Sequence, residues 1–173
     1  MSTKAWVKIV VPVCILLAVA GIWLLKNADK EPEQARLASH EDFVLEAASI
    51  DLEKLTAHGL PIIIDFGADS CIPCKEMAPV LKTLNERLQG LAIIKFVDVW
   101  KFGEAAKGFP VQVIPTQVFF TAEGKPYVPG EEVDIAFTAY NYRETGERAF
   151  TVHQGGLTEE QMLVILADMG VKQ

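Results

Sequence analysis

Hydrophobic and polar positions divide the chain into regions of different period. From Ile9 to Leu25 the residues are almost continuously apolar, with Lys4 and Lys8 before the run and Lys26 closing it. A helix of about 17–25 such residues can cross a bilayer with its backbone satisfied internally, so the run reads as an export signal, a membrane anchor or both. Lys4, Lys8 and the amino terminus favour a cytoplasmic N-terminus, with Lys26 and Lys30 weakening the asymmetry. Ala18-Val19-Ala20 resembles a cleavage site, but Ile22-Trp23-Leu24-Leu25 follows where a cleaved signal turns polar, and an uncleaved anchor over 1–28 is expected. Cys14 reads as a small apolar residue facing lipid. Residues 29–40 are charged, carry Pro32 and lack apolar periodicity, which marks a linker to a domain over 41–173.

Within that domain the period alternates between strand and helix. Phe43 to Ala47 is expected as a first strand and Ile50 to His58 as a short amphipathic helix stopped by Gly59. Pro61-Ile62-Ile63-Ile64-Asp65-Phe66 and Leu91 to Val99 are runs of the kind found in strands buried on both faces. Between them, Met77, Val80, Leu81, Leu84 and Leu88 recur at helical spacing from Cys71 to Gln89, completing a βαβ unit. A short helix is expected around Phe102 to Lys107, a strand over Thr116 to Phe120, and a turn at Ala122-Glu123-Gly124-Lys125. Alternation in Asp134 to Tyr140 and in Ala149 to His153 predicts two further strands around the Glu144 to Glu147 turn. Thr158, with Glu160 or Gln161, caps a last helix through Met162, Leu163, Leu166 and Met169. The pattern describes one α/β sheet, with parallel strands first and a hairpin last.

Charge narrows the partners. Lys and Arg number 16 against 23 Asp and Glu, and a net charge of −7 offers no basic field to a phosphate backbone, so nucleic acid is not expected as a partner.

The chemistry lies in Cys71-Ile72-Pro73-Cys74, which follows a buried strand and opens a helix. Unpaired N–H groups and the positive end of a helix dipole stabilise a thiolate, the species that attacks disulfides. A thiol of pKa about 8.5 is only a few per cent ionised at pH 7, whereas one near 7 is half ionised. Cys74, one turn further in, suits the resolving thiol, and Pro73 fits the first turn because its missing N–H bonds nothing there.

Other readings stand beside this one. A C-x-x-C pair can be half of a zinc site, but zinc usually takes four ligands and no second Cys or His pair lies at ligand spacing; no metal is expected. A purely structural disulfide would close a loop too short to gain much entropically. Asp65 between Ile64 and Phe66 is costly to bury without a function, although a strand-end cap is an alternative. Lys95 either reaches solvent or serves the site. His40, His58 and His153 are scattered and read as ordinary surface or sheet residues, and Phe137, Tyr140 and Tyr142 as sheet packing.

Asp65-Phe66, Cys71-Ile72-Pro73-Cys74-Lys75, Pro79 and Ile114-Pro115-Thr116 together resemble the thioredoxin family, over roughly Phe43 to Gly170. The resemblance implies a thioredoxin-like fold: a central mixed sheet flanked by helices, with an extended hairpin before the last strand, here behind an N-terminal transmembrane helix. It implies that Asp65 relays a proton to Cys74, that Lys95 neighbours Asp65, and that Pro115 is a cis-proline whose preceding residue, Ile114, meets an extended substrate. Ile72 and Pro73 would line the same rim, Gly155-Gly156 would flank the groove, and Pro79 would kink the helix. No cofactor beyond the cysteine pair is implied. Three departures stand out. Ser70 replaces the family's tryptophan, Ile72 its glycine, and Tyr127 to Glu147 is longer than the family's hairpin turn. That insertion is expected at the end of the sheet away from the cysteines, as a partner-binding or stabilising extension.

Together these features predict a membrane-anchored reductase acting on disulfides of exported proteins from the periplasmic or extracytoplasmic side. Its electrons would come from a membrane thiol carrier of the DsbD or CcdA type, and apo-cytochrome c is one client of suitable chemistry. Oxidation or isomerisation of exported thiols by the same residues, and a non-catalytic binding or assembly protein with a structural disulfide, are the alternatives.

Overall fold

A computed structural model describes residues 41–172. The anchor expected over 1–28 and the linker over 29–40 lie outside the described residues. No helix among the described residues is long and apolar enough to cross a membrane.

The centre of the domain is β1 (Ile62–Gly67), all six residues of which are buried. It pairs in parallel with β2 (Ile93–Asp98) on one side and antiparallel with β3 (Thr116–Phe120) on the other. Two more strands, β4 (Thr138–Asn141) and β5 (Arg148–Gln154), complete a five-stranded sheet in the order β2-β1-β3-β5-β4. One continuous apolar run, β1, thus lies inside the sheet, while the other, β2, takes one edge and the mostly exposed β4 the opposite one.

Side-chain parity assigns the two faces. Ile63 pairs with Ile94 and with Phe119, so these three share one face, and Asp65 and Gly67 follow Ile63 on it at period two. Over this face lies α2 (Ile72–Arg87), which follows the short α1 (Leu52–Thr56), and the C-terminal α3 (Glu159–Asp168). Met77, Leu81 and Leu84 of α2 and Met162, Ile165 and Leu166 of α3 close one core with Ile63, Ile94 and Phe119. Pro79 sits inside α2 without ending it. The cap expected at Thr158 forms with Gln161: the Thr158 hydroxyl accepts the Gln161 backbone N–H at 3.2 Å, and Gln161 Oε1 accepts the Thr158 N–H at 2.9 Å.

Two expectations about the frame are corrected. The first strand, expected over Phe43 to Ala47, is a 3₁₀ turn at Glu41–Phe43 followed by one parallel bridge between Glu46 and Phe96. Ala47 N–H donates to the Phe96 carbonyl and Phe96 N–H to that of Leu45, and pairing stops there. The short helix around Phe102 to Lys107 is likewise a 3₁₀ turn, Gly103–Ala106.

The insertion follows a path that its sequence did not indicate. It leaves β3 at the end away from the cysteines, where Tyr127 and Gly130 are held by Asp168 near the end of α3. Val133, Ile135 and Phe137 then turn inward against the core without a ladder, and pairing resumes only at Thr138. Thr138 lies opposite Val152, and His153 Nδ1–H donates to the Ala136 carbonyl at 2.8 Å. Gln154, the next residue, pairs with Thr116 beside Pro115. The insertion therefore returns to the cysteine end of the sheet before β4 and the Tyr142 to Glu147 turn carry it away again, which corrects its expected placement.

Candidate active site

Cys71 is the N-cap of α2: its backbone is extended, and its sulfur accepts the Cys74 N–H at 3.3 Å. One orphan donor of the helix terminus is therefore aimed at this sulfur, where it stabilises a thiolate together with the helix dipole. The Cys71 and Cys74 sulfurs are joined as a disulfide, with Cα atoms 5.3 Å apart. Cys71 is partly exposed while Cys74 is only 3% exposed, so the pair has an outer sulfur open to a partner and an inner one that is not.

Opposite Cys71 stands the Ile114–Pro115 bond, which is cis. The Ile114 carbonyl oxygen lies 3.9 Å from Cys71 Sγ. Gly155 N–H donates to the Pro115 carbonyl at 2.9 Å, tying the loop after β5 to the same rim. Ile72 is 71% exposed, and Pro73 beside it is exposed as well. The rim residues expected from sequence are thus assembled around Cys71. A groove of about 410 Å³ lies beside Ile114, with Trp100 and Val113 on its walls, both more than half exposed. An open groove with Trp100 and Val113 on its walls, reaching the Ile114 whose carbonyl faces Cys71 Sγ, suits an extended polypeptide.

Asp65 lies beneath this rim and is fully buried. Burial pushes its carboxyl up to about 7, against the opposing pull of the hydrogen bond from Gln117 Nε2 to Oδ1 at 2.6 Å. Oδ2 has no hydrogen-bond partner. A carboxyl that changes protonation near neutrality, on the face of β1 against which α2 packs Cys74, is equipped to exchange a proton with that thiol.

Lys95 does not join it. The register pairs Lys95 with Ile64 and Phe96 with Asp65, which turns Lys95 to the opposite face of the sheet. There Nζ donates to the carbonyls of Glu41 at 2.8 Å and Val44 at 2.7 Å, corrections to its expected place beside Asp65. Its buried ammonium anchors the segment before α1, and desolvation holds its pKa below the usual lysine value.

Three residues of the site were not singled out in the sequence. Gly67 lies against the inner cysteine, where a Cβ would come within 3.2 Å of Cys74 Sγ. Asp98 ends β2 and accepts three N–H groups at 3.0 Å, from Asp69, Trp100 and Lys101. Burial opposes its charge, but those donors outweigh it and hold its carboxyl below the usual range. It fastens the loop before Cys71 to the loop carrying Trp100, and Lys101 reinforces the junction by pairing with Asp69. Gln117 is a buried amide followed by the apolar Val118, Phe119 and Phe120; that mismatch is the signal by which it could have been found.

A cysteine pair at a helix N-terminus, beside a cis-proline and above a buried acid, defines a dithiol–disulfide exchange site. Residues 44–135 match the thioredoxin family. The chain is 36% identical over 86 residues to thioredoxin H4 of Arabidopsis thaliana, a stretch covering 50% of this chain and 66% of that one. It is 44% identical over 61 residues to thioredoxin 1 of Chlorobaculum tepidum, covering 35% and 60%. Against the thioredoxin of Borreliella burgdorferi it is 33% identical over 92 residues, covering 52% and 79%. The matches thus span slightly less than two thirds of the first two relatives. Among solved structures, thioredoxin from Malassezia sympodialis gives a TM-score of 0.48 at 22% identity, covering 73% of this chain and 90% of that one. Chloroplastic thioredoxin z gives 0.47 at 19%, covering 75% and 98%.

The chain belongs to the thioredoxin family. Thioredoxins are thiol–disulfide oxidoreductases that work through a redox-active cysteine pair and need no cofactor; in this chain Cys71 and Cys74 form a disulfide at the start of α2.

Proposed function

We propose that this chain is a disulfide reductase that works on exported proteins while anchored by its N-terminal apolar segment. The observation that carries the chemistry is the Cys74 N–H aimed at Cys71 Sγ at the start of α2, facing the Ile114 carbonyl. Reduced Cys71 attacks a substrate disulfide as thiolate, forming a mixed disulfide and releasing one substrate sulfur as thiolate. Cys74 loses its proton, attacks Cys71 Sγ and releases the second substrate sulfur, so two electrons pass from the dithiol to the substrate. The groove walled by Trp100 and Val113, with the exposed Ile72 beside Cys71, receives the substrate chain around its disulfide.

The location rests on the Ile9 to Leu25 run, and an extracytoplasmic reductase needs electrons carried across the membrane. A membrane thiol carrier of the DsbD or CcdA type supplies them in this reading. Anchoring raises the effective concentration of the domain near such a carrier.

The deciding experiment is the reduction potential of the purified chain, by equilibration with defined thiol–disulfide buffers. Dithiol proteins of this kind range from about −270 to about −120 mV, roughly 7 kcal/mol for two electrons. A value near the reducing end supports the reductase. One near the oxidising end replaces it with disulfide formation or isomerisation, and a Cys71→Ser chain that keeps full activity sinks both in favour of a binding role.

A further inference from the structure

Gln117 occupies a place where the fold alone would favour an apolar residue. It is fully buried, and Val118, Phe119 and Phe120 follow it in β3. A buried amide left partly unpaired costs about 1–3 kcal/mol, and Gln117 Oε1 has no partner. Its Nε2, by contrast, reaches three atoms: Asp65 Oδ1 at 2.6 Å, the Gly155 carbonyl at 3.2 Å and Met77 Sδ at 3.5 Å.

The register explains the convergence. Gln117 pairs with Asp65 across β1 and β3, so both side chains stand on the face covered by α2. Gly67 is the next residue of β1 on that face and lies against Cys74 Sγ. One pleat repeat, about 7 Å along the strand, therefore separates Asp65 from the residue that lies against the inner sulfur. On its other side the Gln117 amide touches Gly155, whose N–H holds the Pro115 carbonyl. A single side chain connects the buried acid to the rim that receives substrate.

We infer that Gln117 is a positioning residue which holds Asp65 in the form and orientation that takes the proton of Cys74 during resolution of the mixed disulfide. This rests on the dithiol reading proposed above. An amide suits the task because it can face either state of the acid. Nε2–H donates to the carboxylate, and after a half-turn of the amide Oε1 accepts from the protonated carboxyl. A leucine or methionine can do neither, and a glutamate would set a second acid beside the first. With Gln117 ordering the carboxylate, the Cys74 proton moves to Asp65, the Cys74 thiolate attacks Cys71 Sγ, and the departing sulfur leaves as thiolate. Without that donor, burial acts on Asp65 unopposed, and the acid stays protonated to higher pH.

The test uses the reduced full-length chain carrying Cys14→Ala, so that Cys71 and Cys74 are its two thiols, and an aromatic disulfide that releases two coloured thiolates, 5,5′-dithiobis(2-nitrobenzoate). Attack by Cys71 releases the first coloured thiolate, and attack by Cys74 on Cys71 Sγ releases the second. Gln117→Met is expected to leave the first phase within about twofold, to slow the second about tenfold at pH 7, and to move its pH midpoint upward. In an Asp65→Asn background the same substitution should slow the second phase no further, an outcome a merely structural role would not give. Should Gln117→Met fail to fold, Gln117→Glu keeps the shape and is expected to move the midpoint upward as well. A wild-type midpoint in whichever variant folds, or equal slowing in both backgrounds, overturns the inference. Absence of the first phase in the wild-type chain sinks the dithiol reading itself.

Discussion

Gly67 and Cys74 are in direct contact: a Cβ added at Gly67 would meet Cys74 Sγ at 3.2 Å, its Cβ at 3.3 Å and Phe96 Cε2 at 2.9 Å. The strand beneath the inner cysteine is thus fitted to a disulfide sulfur with no room to spare, and the missing side chain at Gly67 makes that fit.

Gly67→Ala should therefore act on redox poise as well as on stability. The methyl group crowds Sγ where the disulfide holds it, whereas a free thiol can turn away, so the oxidised state bears most of the strain. Overpacking of this kind costs about 1–3 kcal/mol, and for a two-electron couple about 1.4 kcal/mol corresponds to 30 mV. The potential should become less negative by roughly that amount in thiol–disulfide buffers. An unchanged potential would mean that Phe96 alone absorbs the methyl group.

Asp65 should leave a signature in the pH dependence of stability. Its folded value of about 7 lies above the ordinary value of 3.8, so the native chain holds a proton there that the unfolded chain has released. The contribution is complete below about pH 4 and is lost as pH rises through 7, an amount on the order of 4 kcal/mol at most. Asp65→Asn removes this slope, and the variant should gain on the wild type between pH 5 and 8 in denaturant unfolding of the oxidised chain. An equal difference at both pH values would show that Asp65 does not titrate in this window.

The sequence disclosed those parts of the domain whose signal is local. The strand expected over Thr116 to Phe120 has those bounds, the apolar run ending at Phe66 became β1, and Thr158 caps α3, with Gln161 and not Glu160 completing the cap. The cysteine pair was legible because its chemistry depends on four consecutive residues at a helix start. Features that depend on which strands pair, and in what register, were not legible. Asp65 and Lys95 sit in neighbouring strands, yet Lys95 falls opposite Ile64, and one residue of register decides the face. Phe43 to Ala47 has strand composition but finds only a bridge to Phe96. The alternation expected from Asp134 to Tyr140 half-buries Ile135 and Phe137 without any ladder and pairs only from Thr138, since period two reports facing and not pairing.

Lys95 offers a direct check of that correction. Lys95→Met leaves the Glu41 and Val44 carbonyls without their donor, a loss of about 2–3 kcal/mol by denaturant unfolding. Exchange of backbone amides around 41–47 should quicken, because the segment loses its anchor. The pH midpoint of the second coloured phase should stay at its wild-type position, as Lys95 and Asp65 occupy opposite faces. A moved midpoint would place the lysine within reach of the acid after all.

The insertion should prove separable from the exchange chemistry. Its first turn is fixed by the Tyr127 hydroxyl, which donates to Asp168 Oδ2 at 2.5 Å, and by the Gly130 N–H, which donates to the same oxygen at 3.0 Å. Burial and the neighbouring Asp168 carboxylate both raise the Tyr127 pKa, so this hydroxyl keeps its proton and the bond persists through the neutral range. Arg148 and Thr151 close the other side by donating to the Tyr127 carbonyl. Tyr127→Phe deletes one of these ties and leaves Asp168 with the Gly130 donor, a change worth about 1–2 kcal/mol. Faster amide exchange should appear at 127–137, where side chains pack without a ladder, and not in β1 or β3. Both coloured phases should keep their wild-type rates, because the first turn lies at the end of the sheet opposite Cys71. Slower attack by Cys71 would show instead that the Ala136 to His153 contact transmits the disturbance to Gly155 and the rim, making the insertion part of the exchange site.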